Sequence, residues 1–202
     1  EPFYHYTMIV EEGESYTTYA KTVDAASQPI IVQANGKLTM NYLDTRGLPL
    51  SGLHLSAAAA LPMLMVGQSK DEDRNKLRHA LLSNAIGRLY DDFARWYFNK
   101  RPEARGELSR RAVTLENYRR AKMGPQATYL DAFLDFGEFE RAHADEAAAL
   151  LRAPSEEEVV RFAKDAAGAQ AVRDLVFAEL SAGDQPQHGH LQELLSAEAS
   201  GT

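Results

Sequence analysis

The chain has no cysteine among its 202 residues. This excludes disulfides and thiolate metal sites, and it is typical of proteins from a reducing compartment. The sequence also has no uninterrupted apolar run of the roughly 20 residues that a membrane-spanning helix needs. Its first residues, EPFYHYTMIVEEGE, have acidic flanks and no apolar stretch of the kind found in signal peptides. We therefore expect a cytoplasmic protein that does not enter a membrane.

Motifs for nucleotides and metals are missing as well. Neither the phosphate-binding pattern GxxxxGK[ST] nor the dinucleotide pattern GxGxxG occurs. The helical pattern E-x-E-x-x-H at Glu138, Glu140 and His143 has no second copy, which a carboxylate-bridged metal site would need. We predict neither a metal ion nor a cofactor.

The first part of the chain has the composition of β-strands. Four stretches, FYHYTMIV, SYTTYAKTV, PIIVQA and KLTMNYL, are rich in β-branched and aromatic residues. Turn-forming residues separate them, including Asn35-Gly36, a pair that favours a tight hairpin. The pattern predicts an antiparallel β-meander over residues 3–45, within a sheet subdomain spanning residues 1–50.

The remainder of the chain has helical periodicity. One apolar stripe steps by four and three residues and consists of Leu82, Ile86, Leu89, Phe93 and Trp96. Gly124-Pro125 should end a later helix, and Ser155 before three glutamates should begin another. We predict an α+β protein whose helical bundle covers residues 51–196, in a subdomain of residues 51–202 packed with the sheet as one globular unit.

The most apolar stretch, LHLSAAAALPMLMVG, runs from Leu53 to Gly67. Because proline removes a backbone donor, we expect a core helix that bends or ends near Pro62. The alternative is a segment that binds a partner or inserts into a membrane surface.

Charge is unevenly distributed in this protein of net charge −7. Residues 95–122 carry nine positive and three negative side chains, whereas residues 123–202 carry five positive and fifteen negative ones. The first interpretation is a surface that binds nucleic acid or a partner, with interleaved aromatic rings. The second is a basic helix that forms ion pairs with the acidic C-terminal helices. The candidate binding residues are Lys100, Arg101, Arg105, Arg110, Arg111, Arg119, Arg120 and Lys122.

Arg74, Asn75 and His79 form the pattern R-N-x-x-x-H at the start of a predicted helix. The pattern resembles the active-site motif of the HEPN family of ribonucleases, which cleave RNA without a metal, usually across a dimer. The resemblance implies that His79 moves protons, Arg74 stabilises developing negative charge and Asn75 positions them. The alternative interpretation is a solvated first turn, in which the acidic residues 71–73 favour the helix N-terminus.

Two further short patterns resemble known families. His5 with Thr7 and His54 with Ser56 are similar to the paired motifs of two-histidine phosphoesterases. The opening string YHYT resembles a strand of toxin-like ADP-ribosyltransferases. Both families would need a structural context that the helical remainder of the chain does not provide.

Taken together, the sequence favours a non-enzymatic binding protein, an adaptor, inhibitor or structural subunit, that acts through its helical half. Helices rich in alanine, arginine and glutamate are typical of bacterial or bacteriophage proteins. We expect a protein partner, which includes the option of a homo-oligomer. The alternative is a HEPN-like ribonuclease or other nucleic-acid-directed protein that uses Arg74, His79 and the basic residues 95–122.

Overall fold

A computed structural model describes residues 41–67, 69–181 and 183–200. The chain divides into two compact units, Glu1–Met40 and Asn41–Thr202. Throughout the described residues the regular structure is helical, and no strand occurs in them.

The described unit consists of eight α-helices and one short π-helix. In chain order the α-helices are α1 Gly52–Val66, α2 Glu72–Lys100, α3 Ala104–Tyr118, α4 Tyr129–Ala142, α5 Ala144–Arg152, α6 Glu156–Lys164, α7 Ala166–Glu179 and α8 His188–Ser200. The π-helix Arg119–Met123 continues α3 and ends at Gly124, whose φ of 79° is one that glycine adopts readily.

The predicted α+β class is wrong for the described residues, because the helical bundle is present and the β-meander is not seen. Most of the predicted sheet, residues 3–40, lies outside the described residues. Its last stretch forms turns instead of a strand. The reason is local: the side-chain oxygen of Asn41 accepts a hydrogen bond from the Leu43 N–H at 3.2 Å, and its carbonyl accepts one from Asp44 at 3.2 Å. These bonds close a turn where extended backbone was expected.

The long helix α2 is the centre of the bundle. It contacts α1, α7 and α8, and its predicted stripe supplies the buried Ile86 and Leu89. The ring of Tyr90 lies edge-on to Phe177 of α7, with 5.0 Å between ring centroids. The predicted helix is therefore confirmed, and Ile86 and Leu89 of its stripe belong to the core, whereas Trp96 at the end of the stripe is exposed.

A second layer of helices packs around α3, which contacts α4, α5, α6 and α7. Phe136 of α4 is completely buried here and packs against Tyr118. The helix starts in this layer follow from sequence: the Ser155 hydroxyl accepts a hydrogen bond from the Glu158 N–H at 3.2 Å, so the predicted cap of α6 is confirmed.

The segment before α1 forms hydrogen bonds with residues late in the chain. The Thr45 hydroxyl donates to the Phe177 carbonyl at 3.1 Å, and the buried Gln185 amide donates to the same carbonyl at 2.9 Å. The Asn41 amide donates to the Pro186 carbonyl at 2.8 Å. Because these residues are far apart in sequence, the bonds close the helical unit between its first and last segments.

Tyr90 connects this first segment to α1 and α2. Its buried hydroxyl donates to the Leu43 carbonyl and is hydrogen-bonded to Nε2 of His54, 2.8 Å away. Replacing Tyr90 with phenylalanine leaves both partners in place but removes the group that joins them.

We predict that Tyr90→Phe lowers the free energy of unfolding by about 1–3 kcal/mol, because the buried Leu43 carbonyl loses its partner. Tyr118→Phe is the matched control, since its hydroxyl bonds the exposed Asp135 and should cost about 1 kcal/mol or less. Urea unfolding of the two variants measures the difference. Equal losses in the two variants would show that the Tyr90 hydroxyl does not join these segments.

Candidate functional site

The largest exposed apolar surface of α1 lies along one side of the helix. Leu53 is 79% exposed, Leu64 is 74% exposed and Met65 is 72% exposed. We define the apolar face as Leu53 and Leu64 together with the exposed Ala57 and Ala60, which lie between them on the same side of the helix. The exposed Leu61 and Met65 border this face. Large apolar side chains in solvent on several consecutive turns are characteristic of interaction sites.

The opposite side of α1 packs on α2 and includes the buried Ala58 and Ala59. His54 lies on this inner side and is hydrogen-bonded to Tyr90. Burial lowers the pKa of His54 below its usual value. Because the Tyr90 hydroxyl donates its proton to the Leu43 carbonyl, Nε2 of His54 is the donor in this contact. The helix therefore directs His54 toward α2 and exposes Leu53 and Leu64, while Leu55 packs against the core.

The expectation that this stretch is a buried core helix is wrong for its outer side. The helix also does not end near Pro62, since it continues to Val66. The sequence of α1 is not amphipathic. Apart from His54 its large residues are all apolar, so the pattern does not distinguish the inner side from the outer side.

Arg74, Asn75 and His79 lie in the first two turns of α2. The Asn75 side chain forms a clasp with Ser69, since its amide donates to the Ser69 carbonyl and its oxygen accepts from the Ser69 N–H, both at 2.9 Å. Arg74 and His79 are exposed, and Nδ1 of His79 lies 3.5 Å from the Ser83 hydroxyl. The structure thus places Asn75 in a loop-stabilising role and the other two side chains in solvent.

The first turn also has an ordinary helix cap. The Asp71 carboxylate accepts hydrogen bonds from the N–H groups of Asp73 and Arg74. These bonds satisfy backbone donors that a helix leaves free at its start. The acidic residues at this position are therefore explained by the helix itself.

The basic residues of α3 and the π-helix form ion pairs within the chain. Arg110 pairs with Glu156, and Arg111 approaches Glu140 at 3.5 Å. Arg119 and Arg120 both bind Glu116, at 2.9 and 2.6 Å. The hydrogen bond from Arg119, and to a smaller extent the one from Arg120, lowers the pKa of Glu116 and keeps this carboxylate ionised.

The other basic residues at the end of α2 and the start of α3 cover aromatic rings. The Lys100 ammonium lies 4.3 Å from the Trp96 ring centroid. The guanidinium of Arg101 is 5.8 Å from Tyr97, and that of Arg105 is 4.9 Å from Phe98. Lys122 is exposed on the π-helix. Trp96, Tyr97 and Phe98 therefore already lie against cations of the same chain.

His54 and Ser56, one half of the two-histidine pattern, lie on α1. The Ser56 hydroxyl donates to the Gly52 carbonyl at 2.9 Å, as a helical serine commonly does. His5 and Thr7, the other half, lie outside the described residues, as does the YHYT string.

A cavity of about 640 Å³ lies between α3, the π-helix, α4, α6 and α7. Tyr129 and Asp174 line it, and the buried Tyr129 hydroxyl has no hydrogen-bond partner in the described structure. Burial raises the pKa of Asp174 to about 7, opposed by the hydrogen bond that Gln170 donates at 2.6 Å. The cavity thus contains a carboxyl group that titrates near neutrality.

Two further findings concern metal-binding groups and membrane-spanning helices. Within residues 41–67, 69–181 and 183–200, no group of three acidic or histidine side chains is placed to hold a metal ion. None of the helices in this part of the chain is long and apolar enough to cross a bilayer.

Comparisons of the chain with protein-family models, curated proteins and solved structures return no match.

We predict that the unfolding free energy decreases between about pH 4 and pH 7, because the unfolded chain ionises Asp174 there while the folded chain retains its proton. Asp174→Asn should remove this dependence and raise stability at pH 8 by on the order of 2–4 kcal/mol. Urea unfolding across this pH range measures both effects, with the exposed Asp145→Asn as control. A variant as pH-dependent as the parent would contradict the assignment.

Proposed function

We propose that this protein is a non-enzymatic helical binding module whose apolar face on α1 docks against another protein. The observation that supports the proposal is the exposure of Leu53 and Leu64 on a helix that is otherwise packed against α2. Burying a leucine side chain contributes about 1.5–3 kcal/mol. A partner that covers this face would gain that contribution at several positions at once.

The orientation of α1 supports the same proposal. A helix whose exposed side is this apolar could bury it by rotating about its axis, but rotation would withdraw His54 from Tyr90. Nε2 of His54 would then lose the Tyr90 hydroxyl as its partner, and an intramolecular hydrogen bond of this kind contributes about 0.5–1.5 kcal/mol. The bond therefore favours the orientation in which Leu53 and Leu64 are exposed.

The absence of charge on α1 favours a protein partner over nucleic acid. Residues 52–66 contain no aspartate, glutamate, lysine or arginine. Nucleic-acid surfaces are bound mainly through cations that contact phosphates. An uncharged surface of leucine, methionine and alanine instead matches the apolar side of another helix.

The RNA-directed alternative has less support from the geometry. The side chain of Asn75 is occupied by Ser69, and the arginines at positions 110, 111, 119 and 120 have carboxylate partners. Binding RNA through these arginines would compete with those ion pairs for the guanidinium donors. We therefore propose protein binding as the function.

A photo-crosslinking amino acid placed at Leu61, which borders the apolar face, tests the proposal. We expect ultraviolet light to join the full chain covalently to a protein partner in the cells that produce it. The same group at Leu134 of α4, which is 48% exposed, is the control and should give no such product. If position 61 gives no product above the level at position 134, the apolar face is not a docking surface.

A further inference from the structure

The four residues of the apolar face are arranged symmetrically along α1. Leu53, Ala57, Ala60 and Leu64 are separated by four, three and four residues, the spacing that places side chains on one seam of a helix. Both the spacing and the residue types are the same when the order is reversed. All four side chains are exposed.

From this symmetry we propose that the partner of the apolar face is a second copy of the chain, with the two α1 helices packed antiparallel about a twofold axis. This inference rests on the proposed function and names its partner. A twofold interface requires a surface that is complementary to itself. With the axis between Ala57 and Ala60, each Leu53 faces the Leu64 of the other copy, and each Ala57 faces an Ala60.

The residue sizes suit this arrangement. Alanines at the centre of the seam allow two helix backbones to approach closely, and leucines at both ends fill the space where the helices diverge. In a parallel pair, by contrast, each leucine would meet its own equivalent. The reversal symmetry of the seam would then have no structural consequence.

Electrostatics also favour the antiparallel arrangement. Neither the first nor the last turn of α1 contains a charged residue, so no like charges meet across the seam. Antiparallel helices place the partially positive N-terminus of one beside the partially negative C-terminus of the other. A parallel pair would place equal ends together.

The small size of the seam fits a weak dimer. Leu53 and Leu64 are 79% and 74% exposed, so pairing would cover both leucines. Four residues per copy are nevertheless far fewer than the roughly 20–30 residues a side of a standard interface. We therefore expect a dimer that dissociates on dilution.

The lack of cysteine in the chain permits a direct test of the arrangement. We make Leu53→Cys and Leu64→Cys as separate variants of the full chain, mix them and oxidise the mixture. In the antiparallel dimer, position 53 of one copy lies beside position 64 of the other, within reach of a disulfide. Positions 53 of the two copies lie on the order of 16 Å apart, too far for a disulfide.

We expect covalent dimers from the mixture and few from either variant alone. Efficient disulfide formation by each variant alone, with no gain on mixing, would establish a parallel pair and overturn the antiparallel proposal. No disulfide in any sample would overturn self-association through this seam.

Sedimentation of the cysteine-free chain provides an independent measurement. The parent chain should show a concentration-dependent dimer that Leu64→Glu weakens at least tenfold, while the control Leu134→Glu leaves it unchanged. A parent that stays monomeric contradicts self-pairing. If the crosslinker at position 61 still captures a different protein, the docking function stands and its partner is not a second copy. If it captures nothing, the docking function is wrong as well.

Discussion

The hydrogen bonds of the Tyr90 hydroxyl, to the Leu43 carbonyl and to His54, determine how the first helix is oriented in this structure. Helix α1 contains a single ionisable side chain, His54, among residues that are otherwise apolar, small or hydroxylated. An apolar helix without such a group could bury either side at similar cost. The bond to Tyr90 favours one side, because it links the half-buried His54 ring to the buried hydroxyl. The exposure of Leu53 and Leu64 follows from where His54 is held.

Tyr90 can orient α1 because its ring also packs against α7. Phe177 packs edge-on against the Tyr90 ring, and the carbonyl of Phe177 accepts from Thr45 and Gln185. Phe177 thus contributes its ring to the aromatic core and its carbonyl to the hydrogen bonds that join the first and last segments of the helical unit. We infer that the apolar face is presented on a rigid base, which lowers the conformational entropy that binding would cost.

The sequence predicted those features that depend on neighbours along the chain. The stripe of α2, the serine cap of α6 and the end of the basic helix at Gly124 are local patterns, and the structure contains them. The turn at Asn41 was missed because β-propensity outweighed a side chain that bonds its own backbone. The prediction placed α1 wholly in the core. The contact that orients this helix joins His54 to Tyr90, 36 residues further along the chain, so no local pattern reveals it. In the basic segment, Arg110 and Arg111 pair with acidic residues of later helices, whereas Arg119 and Arg120 pair with Glu116 of α3. The raised pKa of Asp174 could not be predicted, since it arises from burial among helices that are distant in sequence.

The central claim is that α1 turns His54 inward and Leu53 and Leu64 outward as a docking surface. The most direct measurement is methyl NMR of the full chain with a soluble paramagnetic agent, observing Leu53 and Leu64 from dilute to concentrated samples. In dilute solution the account predicts strong paramagnetic broadening of both leucines, while the buried Leu89 is unaffected. As concentration rises, both leucines should become protected together. Protection of Leu53 and Leu64 at every concentration, down to the most dilute sample, would contradict the account, because the chain itself would then cover the face.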